Sequence, residues 1–183
     1  SATSLSGLDA TQIGALSTTQ IRGVTTTQLA GLSTTDLAEL SATQIGGLTA
    51  PQIGGISATG LSSLDASQVA TLSATQVGAL AASQIGALST TNLSALNSTQ
   101  VSALDATQIR GITTSQIRAL NETDVAELSV TQVAALTASQ IGSLTTTSLA
   151  ALDQTQVAAL STTQLRGVTT TQIGGLNATD VGE

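Results

Sequence analysis

A branched aliphatic residue stands at every eighth position of the chain, from Leu8 and Leu16 through Ile112 to Leu176, and the spacing never slips. The 183 residues therefore divide into 23 octads of one design. A second aliphatic column, always Leu, Ile or Val, runs at position 5 from Leu5, Ile13 and Ile21 to Val181. A unit this short cannot bury its own apolar face. It must stack on copies of itself, which is the signature of a solenoid or array. The expectation is one continuous repeat over residues 1–183, with no linker or second domain.

The remaining positions predict short helices. In Leu16-Ser17-Thr18-Thr19-Gln20-Ile21, Ser17 is a favoured N-cap, and Gln20 can reach back to the Ser17 main-chain N–H to complete a capping box. Leu16 before the cap and Ile21 after it form the matching hydrophobic staple. Asp105 and Gln108 repeat the pair. Position 1 is Ser, Thr, Asp or Asn in 22 octads, Ala81 being the exception, and position 4 is Gln in 16. Asp36, Asp124 and Asp180 stand at position 4 in three others, where a negative charge suits a helix start. Positions 6 and 7 are mostly Gly, Ala or Ser, as in Gly46-Gly47, and glycine is expected to end each helix. Pro51 falls in the first helical turn, where its missing N–H costs nothing.

The fold expected is an all-α solenoid of very short capped helices, two octads to a coil. Leu16, Ile21, Leu48, Ile53, Leu104, Ile109, Leu120 and Leu144 represent its core, and Ser17, Gln20, Asp105 and Gln108 its caps. A continuous helix would advance about 80° per octad and wind both aliphatic columns around the rod. A β-solenoid is the main alternative, because Thr, Ile and Val favour strands. Against it, positions 5 and 8 have opposite parity and would face opposite sides of one strand. Two octads per coil would also set Arg22, Arg110 and Arg166 near acidic pairs on the next coil, Asp36 with Glu39, Asp124 with Glu127 and Asp180 with Glu183. That reading competes with simple block duplication.

Composition bears on function. The chain has no His, Cys, Met, Phe, Tyr or Trp, so no Ser-His or Cys-His nucleophile pair can form and no enzyme is expected. The core has to be thin and aliphatic, for aromatic residues dominate the cores of ordinary enzymes. The net charge of −7 with only four cations argues against nucleic acid. No stretch approaches the roughly 18 apolar residues of a spanning helix, so no membrane insertion is expected. Glu122, Asp124 and Glu127 make the densest acidic group but lack the spacing of a calcium loop, and no metal or other cofactor is expected.

Asn92, Asn97, Asn121 and Asn177 stand in Asn-x-Ser/Thr sequons and are candidate glycosylation acceptors. The last three arise whenever Asn fills a cap position ahead of a Thr at position 3. Rows of Thr at positions 2 and 3 suggest an alternative role, an ice-binding or other surface-binding face. The octad Leu16 to Gly23 resembles the L-[ST]-x-x-Q-[IV]-x-[AG] arrays of large bacterial surface and secreted proteins of the adhesin type, and the resemblance spans the chain. It implies an extracellular or cell-surface structural protein, a stalk or filament without catalytic residues. The chain begins and ends on ordinary octads without an initiator Met. A segment of a longer array or a processed product is expected, with end-to-end self-association as the favoured partnership and glycans as further candidates.

Overall fold

A computed structural model describes residues 7–176. Among them are 21 α-helices and no strand, one helix in every octad from Ala10–Gly14 to Thr170–Gly175. The chain is an all-α solenoid of short capped helices. It falls into two compact units, Ser1–Ala103 and Leu104–Glu183.

The local grammar explains why helices of four to six residues persist. Isolated helices shorter than about 12–15 residues are marginal in water. Here each start is fixed by its cap. Ser17 is extended at φ −68° and ψ 157°, the Gln20 N–H donates to its Oγ at 3.3 Å, and its own N–H donates to Gln20 Oε1 at 2.8 Å. Asp105 accepts from the N–H groups of Thr107 and Gln108 at 2.7 and 2.8 Å, and its N–H donates to Gln108 Oε1 at 2.8 Å. At Ala81 only half of the box exists: its N–H donates to Gln84 Oε1 at 2.6 Å, with no side-chain acceptor in return.

Within the first unit, Thr18–Arg22 packs on Ala42–Gly47, Thr26–Ala30 on Ala50–Gly55, and Ala42–Gly47 on Ala66–Ala70. Within the second, Ala106–Gly111 packs on Val130–Ala135 and Thr146–Ala150 on Thr170–Gly175. In both units a helix therefore rests on the third helix along, and one coil takes three octads. The expectation of two octads per coil is corrected. Three helices let the paired aliphatics of every side converge on one axis, as Ile13, Ile21 and Leu29 do with Leu16, Val24 and Leu32 around a hollow of about 10 Å³. Two helices would have no such enclosed axis.

The longer coil also removes the arginine–acid pairing. Arg22 Nε donates to the Gly47 carbonyl at 2.8 Å, and Arg110 Nε to that of Ala135 at 3.2 Å. The acids expected beside Arg166, Asp180 and Glu183, lie outside the described residues.

The glycines need a different account from the one sequence suggests. The helix-ending Gly23 and Gly31 keep right-handed backbone, at φ −77° and −89°. What the small residues supply is close approach. A β-carbon on Gly54 would meet the Ala79 carbonyl oxygen at 2.8 Å, and one on Gly47 would meet Thr18 Cγ2 at the same distance. Both neighbours belong to adjacent coils. Each helix stops because position 8 and the next cap are extended, as at Leu48 (ψ 153°) and Thr49 (ψ 158°).

Candidate functional site

A helix end leaves its last carbonyls without intrahelical donors. In this fold those carbonyls are claimed by a side chain from the next coil. Gln44 Nε2 donates to the carbonyls of Ile13 and Leu16, both at 2.8 Å, while Gln44 Oε1 accepts from the Ser41 N–H at 2.8 Å. One amide thus caps the start of its own helix and the end of another.

The arrangement repeats along each unit. In the first, Gln52 reaches Ile21 and Val24 at 3.0 and 2.5 Å, and Gln100 reaches Val69 and Leu72 at 3.3 and 2.6 Å. In the second, Gln140 reaches Ile109 and Ile112 at 2.8 and 2.7 Å, and Gln172 reaches Ile141 and Leu144 at 2.9 and 2.8 Å. These glutamines are buried, and among the described residues no buried side-chain polar atom lacks a hydrogen-bond partner. Sequence reasoning identifies the glutamine column as caps and misses this second role. The signal was available: a cap alone has no need of an amide, and a carboxylate at position 4 would serve it equally.

The exceptions to the column are informative. Asn92 Nδ2 donates to the Leu64 carbonyl at 2.7 Å and Ser148 Oγ to that of Leu120 at 2.9 Å, so shorter side chains keep one of the two links. Gly60 has no side chain to offer; a β-carbon there would stand 2.5 Å from Leu37 Cδ1.

The candidate site residues take the following places. Ile21, Leu48, Ile53, Leu104, Ile109, Leu120 and Leu144 are buried, and Leu16 is half-buried in the first described coil. Ser17, Gln20 and Asp105 are exposed caps, and Gln108 is a buried one. Asn97 and Asn121 are exposed and cap their helices, accepting from Gln100 and Asp124 N–H groups at 3.1 and 3.0 Å. Asn92 is only 3% exposed with its amide nitrogen engaged, so the folded chain withholds this acceptor from a glycan. Its position in the glutamine column, rather than at a cap, sets it apart. Asn177 lies outside the described residues.

The outer surface is simple. Position 3 is exposed in every described octad and carries a hydroxyl in all but Pro51. The Asp65 carboxyl is held below the usual carboxylate range, first by the Ser67 hydroxyl, which donates at 2.6 Å, and then by the Gln68 main-chain N–H. Asp153 repeats this with Thr155 and Gln156. Among the described residues no group of acidic side chains is placed to hold a metal ion, and no helix is long and apolar enough to cross a membrane.

This interlocked architecture defines a helical repeat protein. Consistently, a family model described as the ALTTAQ repeat matches residues 111–146. No curated protein and no solved structure matches the chain.

Proposed function

We propose that this repeat protein is a structural element without catalytic activity, serving as an extracellular stalk or as the unit of a head-to-tail filament. The observation that carries the reading is the buried amide ladder. Within each unit a coil is tied to the next by hydrogen bonds between a side chain and main-chain carbonyls, together with the aliphatic axis, which resists bending and slippage between those coils. Such a ladder suits a part whose task is to hold distance. The resemblance to octapeptide arrays of bacterial surface proteins supports the extracellular setting, and the lack of His, Cys and aromatic residues supports a non-catalytic role.

Negative-stain electron microscopy of the purified protein over a concentration series, with circular dichroism on the same samples, tests this reading. Uniform fibres or discrete elongated particles with helical dichroism are expected. Compact round particles contradict it. The exposed hydroxyls at position 3 favour one second reading, attachment to an extended ordered surface such as ice. Thermal hysteresis that disappears when Thr11, Thr35 and Thr59 are replaced by Ala would establish that role, and its absence would remove it.

A further inference from the structure

From Gln44 to Gln100 the position 4 side chains of the first unit fasten one coil to the next, and each donates to the position 8 carbonyl 28 residues before it. Gln68 reaches Leu40 at 2.5 Å, Gln76 reaches Leu48 at 2.6 Å, and even Asn92 reaches Leu64 at 2.7 Å. The series has one gap, well inside the unit. Octad 57–64 carries Gly60 at position 4, and among the described residues no side chain donates to the corresponding carbonyl, that of Leu32. The same glycine deletes a second bond. Gln44 and Gln68 accept from the N–H at the head of their own octads, at 2.8 Å from Ser41 and 2.7 Å from Asp65, and Gly60 offers Ser57 no such acceptor. Two further observations fall on this octad. Its helix, Ala58–Ser62, packs more extensively on Ala82–Ala87 of the following coil than on Thr34–Ala38 of the preceding one. Ser62 and Ser63 turn their hydroxyls back on the Thr59 and Gly60 carbonyls, both at 2.7 Å, a local bond that competes with the helix's own.

From this we infer that octad 57–64 is a flexure built into the first unit, where the seam with the preceding coil opens ahead of every other. The opening is one-sided. Gln68 and Gln76 still fasten the other two sides of the same coil, so their bonds to Leu40 and Leu48 act as the pivot. Packing fills the gap without replacing the rung. Leu37 Cδ1 stands 2.5 Å from where a β-carbon of residue 60 would lie, and Leu37 and Leu61 are fully buried. Apolar contact of this kind is non-directional and tolerates small sliding movements, whereas a hydrogen bond to one carbonyl fixes the register. Glycine in mid-helix adds backbone freedom at the same point, and collective opening begins where local fastening is weakest. The use of the flexure rests on the structural reading above: it is the place where a spacer bends or yields while its remaining coils stay locked.

Amide hydrogen exchange of the whole chain, resolved by residue with NMR, tests the inference. The Leu61 and Leu64 N–H groups donate to the Ser57 and Leu61 carbonyls at 2.9 and 3.3 Å, the same bonds that their counterparts make in the flanking octads. They are nevertheless expected to be protected roughly tenfold less, or worse, than Ile53, Ile56, Val69 and Leu72. Restoring the rung should close the seam: Gly60→Gln combined with Leu37→Val, which clears the place of the β-carbon, is expected to bring Leu61 and Leu64 to the protection of their neighbours. Gln52→Gly makes the reverse test should that double variant fail to fold. It opens a second gap one octad earlier and should lower the protection of Ile53 and Ile56 by a similar factor. Equal protection of Leu61, Leu64 and the flanking octads in the wild-type chain overturns the flexure and leaves the stalk or filament standing. Compact particles in the microscope overturn the latter and leave the exchange result standing. A folded double variant with Leu61 and Leu64 still poorly protected, or Gln52→Gly without loss of protection, overturns the part assigned to the missing rung.

Discussion

Gln20 and Gln44 occupy the same position of nearly the same octad, Ser17-Thr18-Thr19-Gln20-Ile21 and Ser41-Ala42-Thr43-Gln44-Ile45. Both complete a capping box with the serine at the head of the octad. Gln20 is nevertheless exposed, and Gln44 is buried with its amide nitrogen against two carbonyls of the coil below. The difference separates two layers of specification. The box is local, closed within half an octad, and forms wherever the octad is written. The cross-link is cooperative and exists only where one coil lies on another, as between the octads of Gln44 and Leu16.

Breaking the stacked layer should have the largest effect. Ile109→Asp would bury a carboxylate at a fully enclosed position and is expected to cost about 4 kcal/mol or more, whereas Ile173→Asp, at a largely exposed one, should be nearly silent. Thermal melts followed by circular dichroism compare them. Equal melting temperatures would refute the packed aliphatic axis.

Next come the ladder and the close approaches. Gln52→Leu removes the buried amide donor from the Val24 carbonyl and leaves that of Ile21 with only the Val24 N–H, and should cost about 1–3 kcal/mol. Gln20→Leu loses only its box and should cost about 1 kcal/mol or less. Denaturant titration of both variants sharpens the comparison, and equal losses would mean that the carbonyl contacts contribute nothing. Gly54→Ala should destabilise by about 1–3 kcal/mol, because its methyl meets the Ala79 carbonyl, while Gly14→Ala has open space and should be neutral or slightly stabilising.

Local effects are smaller. Ala81→Ser supplies the missing side-chain acceptor of its octad and should raise stability by about 1 kcal/mol or less in the same titration. The smallest effect is the pH response of the Asp65 cap. Its folded carboxyl is depressed, so its contribution is present above the unfolded value and is lost as pH falls through the folded one, below about pH 4. Acid titration of Asp65→Asn should show a correspondingly shallower decline.

What was legible in the sequence follows the same division. Ser17 with Gln20 and Asp105 with Gln108 are readable as caps because donor, acceptor and spacing lie within one octad. The all-helical fold follows from repeating that signal through the chain. The coil size is not readable, since near-identical octads carry no mark of which one stacks on which; only the convergence of three aliphatic pairs on one axis selects three octads over two. The same blindness hides the second role of Gln44, whose acceptors Ile13 and Leu16 belong to another coil, and makes Asn92 look like a glycan acceptor when it is a cross-link. Gly54 reads as a helix stop because its true neighbour, Ala79, is brought to it only by the stacking of one coil on the next.

The coil period is the claim on which the ladder depends, and disulfide trapping reads it directly in a sequence without cysteine. A β-carbon on Gly46 would stand 3.3 Å from that of Thr71, close to disulfide range. Gly46→Cys with Thr71→Cys, three octads and one position apart, should therefore oxidise readily to an intramolecular bridge. Gly54→Cys with Thr71→Cys, two octads and one position apart, should remain reduced under the same conditions. Bridging of the second pair and not the first would contradict the three-octad coil.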